Sequence, residues 1–459
     1  MKPWVVFTAL LILLESFGSL AHAAQHSLAG HWEGVINQPG GKLKVIVDFK
    51  QENDKTTGTI EIPAAAVFKW PLQIDYKSPA LDFKLPGPTN ISFVGEISEN
   101  SIAGKVSFGN YLDNFYLKRK AAKPLPYKEE EVRFQNGDVM LAGTLFVPLT
   151  KGPHPAVFLL PGSGAADREA EWFYADQFAR RGIAALTYDK RGVGASTGNW
   201  ELASFDDFAG DAIAGIQYLQ SRKDIKRGQA GLYGRSHGGM VAPLAAARSR
   251  DVAFIINVSG NAAPVTRQII YDNQNQMRAA GVSEDDIADA VAYLNQKYEV
   301  ARTGRGWTEL KAKIDELQSR QTSWLEDYAG APKSLEDLQF FWQVQFSYDP
   351  ERAWQKVKCP VLGVFGEKDT STPVMESVSI MKHALKRAGN KDYVLKVFSG
   401  ADHALLRWPK DESRHWPVLA KSFLNTMMNW LTSHVTVSGT SASKKTHRAR
   451  RKQKVAGAQ

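Results

Sequence analysis

This chain of 459 residues has a single cysteine, Cys359, so an intramolecular disulfide is excluded. Its stability must therefore come from a hydrophobic core, and 43% apolar residues are enough to form a sizeable one. Cys359 precedes Pro360 and the apolar run 361–365, which indicates an inert, partly buried thiol and not a nucleophile. The length favours about two to four domains.

Long apolar runs are also missing, because no segment reaches the roughly 20 residues that a membrane-spanning helix needs. The short apolar run 4–14 follows Lys2 and precedes Ala21-His22-Ala23. A basic start, a short apolar stretch and small residues at a cleavage site are typical of a secretory signal peptide. We expect residues 1–23 to be such a signal and the protein to be exported to the periplasm or outside the cell. A buried N-terminal helix is the alternative.

The body of the chain has little excess charge of either sign. The formal net charge is +9, but seven lysines and arginines lie within 444–454, where there is no acid. The rest of the chain therefore carries only +2, so we expect no nucleic-acid binding by the folded body. Residues 435–459 are expected to form a basic disordered tail that could contact an anionic surface weakly. The oligomeric state stays open.

Residues 24–118 show an apolar period of two, which is clear in the alternation over 43–49. Several short runs of this kind, separated by glycine, proline and asparagine, predict a small all-β barrel or sandwich. No catalytic cluster falls within it, and Trp32 and Trp70 are expected in its core, with a ligand platform as the alternative. The proline-containing stretch 119–127 is the expected linker.

From residue 128 to 434 continuous apolar runs alternate with helical stretches. Continuous runs suit strands that are covered on both faces, which predicts an α/β domain with a mostly parallel sheet flanked by helices. Between about 261 and 356 apolar residues recur at helical spacing, so we expect a helical cap whose aromatic side chains form its core or line an apolar acyl pocket. After a hairpin within 131–147, sheet strands are expected at 156–160, 183–188, 230–233, 253–258, 361–365 and 393–398.

The pattern G-x-S-x-G occurs twice, around Ser196 and around Ser236, and the context separates the two. Ser236 lies between the strand-like run 230–233 and the alanine-rich helical stretch 240–248. This strand–turn–helix setting is typical of a nucleophilic serine. Ser196 lies in a long loop after Asp189, so we assign the nucleophile to Ser236.

A serine hydroxyl needs a base to become a nucleophile, and the base needs a carboxylate that orients it. His403 follows the last predicted strand by a short loop, which brings it to the edge of the sheet where the serine is expected. His415 and His383 are the alternatives. The preceding predicted strand is followed by Glu367 and Asp369, and its position in the turn favours Asp369 as the acid, with a helix-cap role as the alternative.

An acyl-transfer enzyme also needs hydrogen-bond donors for the oxyanion. The backbone N–H of His237, directly after the serine, is one candidate. The second is expected in the loop after the strand at 156–160, at the N–H of Ser163 or alternatively of Gly164. Pro161 in the same loop has no N–H to donate. No cofactor and no metal is expected.

The order serine, acid, histidine and these motifs resemble the α/β-hydrolase superfamily over roughly residues 131–434. The stretch 159–164, with Asp167-Arg168, is similar to the oxyanion loop of exported bacterial esterases in the dienelactone-hydrolase and prolyl-oligopeptidase group. Many relatives have histidine where this chain has Pro161. The stretch 188–196 is similar to the D-x-R-G-x-G-x-S loop, which is structural in the family. The resemblance implies an α/β-hydrolase fold with serine esterase chemistry.

We therefore expect an exported serine hydrolase that cleaves small-molecule carboxylic esters through an acyl-enzyme on Ser236. His403 would act as base and Asp369 would orient it. A serine peptidase of the same fold, acting on small peptides or aminoacyl amides, is the first alternative. A non-catalytic protein that binds cell-envelope material is the second.

Overall fold

The chain divides into two compact units in a computed structural model. The first unit extends to Glu61 and includes Lys69–Ala121, whereas the second contains Ile62–Phe68 and continues from Ala122. The expected signal peptide and the basic residues of the expected tail lie outside the described residues. The structure describes residues 27–53, 55–87, 90–410 and 413–437.

The first unit is built on one antiparallel sheet whose interior contains several phenylalanine rings. The sheet order is β4-β3-β2-β1-β9-β8-β7-β6-β5, with strands β1 Gly30–Gln38, β2 Gly41–Glu52, β3 Lys55–Ile62, β4 Val67–Pro71, β5 Gln73–Lys77, β6 Ala80–Leu85, β7 Ile91–Ile97, β8 Ser101–Phe108 and β9 Tyr111–Lys120. The rings of Phe49 on β2 and Phe83 on β6 are 5.6 Å apart, although these strands are not neighbours in the sheet. The sheet therefore curls around a shared core, and the all-β prediction holds for this unit.

The two tryptophans singled out in this unit have different environments. Trp32 is fully buried, and its Nε1 donates to the backbone oxygen of Leu28. Trp70 is 46% exposed, and its Nε1 donates to the backbone oxygen of Pro86. The expectation of a core position is thus confirmed for Trp32 and wrong for Trp70, because Trp70 is near the end of an edge strand of the sheet.

The second unit contains a sheet of eight strands that is mostly parallel. Its order is β10-β11-β13-β12-β14-β15-β16-β17, with strands β10 Tyr127–Asn136, β11 Val139–Pro148, β12 His154–Leu160, β13 Ala184–Tyr188, β14 Ile225–Arg235, β15 Ile255–Val258, β16 Val361–Gly366 and β17 Tyr393–Phe398. Strand β11 pairs antiparallel with β10 and β13, and the remaining pairs are parallel. A small ribbon, β18 Leu406–Arg407 and β19 Val418–Leu419, follows.

Helices cover both faces of this sheet, so the strands β12, β13, β15 and β16 are buried at every position. Along β12, Phe158 and Leu160 belong to one buried cluster, whereas Val157 and Leu159 belong to the other. Helices α2, α3 and α9 pack in the first cluster, and α1 and α10 pack in the second. The helices are α1 Trp172–Ala179, α2 Phe205–Ser221, α3 His237–Arg248, α4 Val265–Ala279, α5 Glu284–Thr303, α6 Trp307–Ser319, α7 Leu335–Phe341, α8 Pro350–Trp354, α9 Val374–Arg387 and α10 Phe423–His434.

Helices α4 to α8 form the insertion between β15 and β16, at the position expected for a cap. This insertion has its own buried core, in which α5 contributes Tyr293 and Leu294, and α6 contributes Leu310 and Ile314. The cap therefore has a core of its own, and the inner side of α4 faces the sheet.

The folded body continues beyond the boundary that the sequence suggested for the basic tail. Val435 and Val437 are 8% exposed and pack with α10, and the backbone N–H of Thr436 donates to the side chain of Gln229. In the ranges that the structure covers, no helix has both the length and the apolar character that crossing a bilayer requires.

Candidate active site

Ser236 is the residue on which strand β14 turns into helix α3. It has φ 53° and ψ −116°, a conformation that is strained for any residue other than glycine. Its backbone N–H donates to the carbonyl oxygen of Val258 at 2.9 Å, which ties the turn to the neighbouring strand. A serine in a strained turn between a strand and a helix is the geometry of a nucleophile elbow.

The two glycines that flank Ser236 make this turn sterically possible. A Cβ at Gly234 would lie 2.3 Å from the backbone oxygen of Gly238. A Cβ at Gly238 would lie 2.2 Å from the backbone oxygen of Leu160 at the end of β12. Both distances are far below any van der Waals contact, so neither position can hold a side chain without moving the elbow.

His403 and Asp369 form a directly hydrogen-bonded pair. Nδ1 of His403 donates to Oδ2 of Asp369 at 2.7 Å, while Oδ1 of Asp369 accepts from the backbone N–H groups of Ser371 and Thr372 at 2.8 Å each. The Asp369 side chain is fully buried, whereas 27% of the His403 side chain is exposed. With its proton held on Nδ1, the neutral imidazole keeps Nε2 as an acceptor.

The loops that carry these residues meet at the carboxyl edge of the sheet. Ser236 follows β14, Asp369 follows β16 and His403 follows β17, and these strands belong to the run of four neighbours β14-β15-β16-β17. The hydroxyl of Thr372 donates to the backbone oxygen of Ser259, which links the loop after β16 to the loop after β15. Within the described residues, the Ser236 hydroxyl is not hydrogen-bonded to the His403 ring.

The alternative candidates have structural partners instead. The buried Ser196 hydroxyl donates to the backbone oxygen of Asp189 at 2.7 Å and accepts from the N–H of Ala142. Glu367 accepts from the backbone N–H of Gly400 at 2.8 Å, which lowers the pKa of its carboxyl group. His383 is exposed on α9. None of these groups meets Asp369 in the way that His403 does.

The expected oxyanion donors lie beside Ser236 around one cavity. This cavity of about 300 Å³ is lined by Ser236 and His237 from the elbow and by Ser163 and Gly164 from the loop after β12. His237 is the first residue of α3, so its N–H has no intrahelical partner. The His237 ring packs at 4.9 Å from the rings of Phe205 and Phe208, and burial lowers its pKa well below the usual value.

The rest of the cavity has a partly apolar lining. Its residues come from the loops and helices around the eight-stranded sheet and from the cap. Of the aromatic residues of the cap, Phe346 alone lines this cavity, so the expected pocket lining is confirmed for that residue. Cap helix α4 adds Gln268 and the carboxylate of Asp272. The apolar lining consists of Trp200, Ala203, Phe205, Phe208, Met240, Val265, Ile269 and Phe346.

A buried ion pair next to Ser236 is not marked by any sequence pattern. Nε of Arg235 donates to Oε1 of Glu171 at 2.7 Å, and Glu171 is only 2% exposed. Burial raises the pKa of Glu171, and the charge of Glu171 raises the pKa of Arg235. A Cβ at Gly162 would lie 3.8 Å from Nη1 of Arg235 and 3.7 Å from Cβ of Ser236, so the guanidinium is beside the oxyanion loop. The position of Arg235 directly before Ser236 could have indicated its place next to the site, whereas no pattern in the sequence singles out Glu171.

Two esterases and one solved hydrolase structure are among the proteins to which this chain is similar. The chain is similar to esterase EstD of Thermotoga maritima, with 20% identity over 416 residues that cover 87% of this chain and 92% of EstD. It is also similar to esterase FrsA of Yersinia enterocolitica, with 26% identity over 42% of this chain and 46% of FrsA. Among solved structures, 2,6-dihydroxy-pseudo-oxynicotine hydrolase matches with a TM-score of 0.43 and 18% identity, covering 68% of this chain and 69% of that one.

The X-Pro dipeptidyl-peptidase (S15) family matches residues 136–401, which is more than half of the chain and contains Ser236 and Asp369. The match begins at the last residue of β10 and ends after β17, so it covers strands β11 to β17, the elbow and the cap, and stops two residues before His403. The chain therefore belongs to the X-Pro dipeptidyl-peptidase (S15) family and is a serine hydrolase of the α/β-hydrolase type.

Proposed function

We propose that this protein is an exported esterase that cleaves carboxylic esters through an acyl-enzyme on Ser236. The observation that carries the proposal is the His403–Asp369 hydrogen bond at the same sheet edge as the strained Ser236 turn. A base held by a buried carboxylate, at the sheet edge that also carries a serine on an elbow, is the arrangement that acyl transfer requires. The similarity to EstD over most of both chains supports ester substrates.

In the first half of the proposed reaction, the Ser236 hydroxyl oxygen attacks the ester carbonyl carbon while its proton passes to Nε2 of His403. The carbonyl oxygen becomes an oxyanion, which the N–H groups of His237 and Ser163 would stabilise. The tetrahedral intermediate then breaks its bond to the alcohol oxygen, and His403 returns the proton to the departing alcohol. Ser236 is left as an acyl ester.

In the second half, a water molecule gives a proton to His403 and attacks the acyl carbon. Breakdown of this intermediate releases the carboxylic acid and restores the Ser236 hydroxyl. Asp369 accepts from Nδ1 throughout, so it holds the ring in one tautomer and stabilises the imidazolium that forms in each half-reaction. The apolar lining of the cavity would accept the hydrocarbon part of the ester.

A peptidase activity is the second candidate, because the family to which the chain belongs is described by X-Pro dipeptidyl-peptidases. One residue favours it specifically. The Asp272 carboxylate lines the cavity with Ser236, and it makes no hydrogen bond or ion pair within the described residues. An unpaired carboxylate at the cavity wall is suited to bind a substrate amine.

Export is part of the proposal and is supported by the basic, apolar and small-residue segments within 1–23. We expect the mature protein to begin close to Ala24. Mass spectrometry of the N-terminal peptide, from protein recovered outside the cytoplasm of the producing cell, checks this. A cytoplasmic protein that retains Met1 would contradict export and leave the proposed chemistry untouched.

Replacement of Ser236 should abolish turnover and covalent labelling together. For Ser236→Ala we expect kcat on a short p-nitrophenyl ester to fall by roughly 10⁶-fold, because the nucleophile is lost. A fluorophosphonate probe should label the wild type stoichiometrically and Ser236→Ala not at all. The matched control is Ser196→Ala, the serine of the other G-x-S-x-G pattern, which should still be labelled. A wild type that is not labelled would favour a non-catalytic binding protein.

Two neighbouring carboxylates allow a paired test of the acid. Asp369→Asn should lower kcat by about 10⁴-fold, because an amide in this place favours the wrong tautomer of His403. Glu367→Gln, two residues away, should change kcat little, because Glu367 contacts the loop backbone at Gly400 and not the imidazole. Steady-state rates of both variants, compared at equal concentrations of fluorophosphonate-labelled enzyme, check this. Equal losses would contradict the assignment of Asp369.

Ester and amide substrates should separate the two candidate functions. We expect hydrolysis of p-nitrophenyl butyrate and no measurable release of p-nitroaniline from Gly-Pro-p-nitroanilide by the same preparation. Asp272→Asn should leave the neutral ester unaffected. If the dipeptide anilide is instead the better substrate and Asp272→Asn removes that activity selectively, the peptidase assignment replaces the esterase one.

A further inference from the structure

Lys190 is a buried cation directly behind the loop that carries the expected second oxyanion donor. It follows β13 and is only 2% exposed. Its Nζ donates to the backbone oxygen of Gly162 at 2.6 Å and to that of Gly164 at 3.3 Å. The same side chain lines the cavity that contains Ser236.

No carboxylate forms an ion pair with Lys190 in the described part of the chain. Its ammonium lies 5.3 Å from the ring centre of Phe208 on α2, and the charged or titratable groups that act on it are Arg235 from β14 and His237 from α3. Burial, with a smaller effect from Arg235, lowers the pKa of Lys190 to about 8. A buried ammonium without a counter-ion is costly, and a core of apolar side chains would avoid that cost.

The backbone of Lys190 is fixed by its neighbours on both sides. Asp189 accepts from the side chain and the backbone N–H of Arg168, and Arg191 donates to both carboxylate oxygens of the fully buried Asp211. The N–H of Lys190 itself donates to the backbone oxygen of Ala166. The backbone that carries the side chain is therefore fixed, and the ammonium itself is bound to two carbonyl oxygens of the loop.

We propose that Lys190 is a positioning residue for the oxyanion hole, because its bond to the carbonyl oxygen of Gly162 sets the direction of the Ser163 N–H. These two groups belong to one planar trans peptide unit, in which C=O and N–H point in opposite directions. A cation on the oxygen therefore aims the N–H away from Lys190. Withdrawal of electrons toward the ammonium also makes this N–H a stronger donor. The inference rests on the proposed esterase function.

The test compares two buried lysines with the same type of contact. Lys297 in the cap is also buried, and its Nζ donates to the backbone oxygens of Ala329 and Gly330. Lys190→Met should lower kcat by about 10²–10³-fold, the effect of losing one oxyanion donor, at a nearly unchanged KM. Lys297→Met removes an equivalent interaction and should keep kcat. Rates are divided by the concentration of fluorophosphonate-labelled sites, so that loss of folded protein does not lower the measured kcat.

The pH profile gives a readout that a purely structural role would not change. Because the protonated form of Lys190 does the positioning, wild-type kcat should fall as the pH rises through about 8, and Lys297→Met should show the same fall. Lys190→Arg, which stays charged in this range, should lose this limb of the profile. It also provides the test if Lys190→Met does not fold.

Three outcomes would overturn the role of Lys190. These are an unchanged kcat in Lys190→Met, equal losses in the two methionine variants, and persistence of the alkaline limb in Lys190→Arg. Failure of the proposed function is seen differently, because the wild-type enzyme would then neither react with the probe nor turn over esters.

Discussion

The close crossing between the end of β12 and the start of α3 is the contact on which the rest of the site depends. At Gly238 a Cβ would come within 2.2 Å of the backbone oxygen of Leu160, so the two elements touch backbone to backbone. Because the loop 161–164 follows directly from Leu160, this contact brings it against the first turn of the helix that follows Ser236. A side chain at the crossing would separate the loop from the serine, and acyl transfer is sensitive to displacements of about 1 Å.

The strand order explains which parts of the fold the sequence could predict. Six strands of the α/β unit were expected, and β12, β13, β15 and β16 were found within a few residues of their bounds, because strands covered on both faces are continuously apolar. Strand β14 was expected only at 230–233, since its first part contains the polar Lys226 and Arg227, which extend beyond the apolar layers. Trp70 was misplaced because alternation indicates a strand but not whether another element covers its outer face.

The sequence predicted those site residues whose role depends on their neighbours in the chain. It did not predict those whose role depends on tertiary contacts. Ser236 differs from Ser196 by the strand and helix that flank it, and the order of Ser236, Asp369 and His403 along the chain carries further information. The roles of Lys190 and Glu171 depend on contacts with residues distant in sequence, and their own surroundings in the chain contain no signal for them. Charged residues are mostly exposed, so their burial could be found only from the structure.

The charges around the site match the charges that develop during the proposed reaction. Negative charge would form on the oxyanion, beside the loop against which Lys190 and the Arg235–Glu171 pair lie. Positive charge would form on His403, which contacts the buried carboxylate of Asp369. His237 is kept neutral by burial, so the fixed positive charge on the oxyanion side comes from Lys190 and, partly compensated by Glu171, from Arg235.

Because these groups are already oriented, the protein need not reorganise as the transition state forms, which is the main source of electrostatic catalysis. The cap shapes the cavity without adding a cationic side chain to its lining. Changes in the cap can therefore alter which substrate is accepted, while the charge pattern is kept by residues around the eight-stranded sheet.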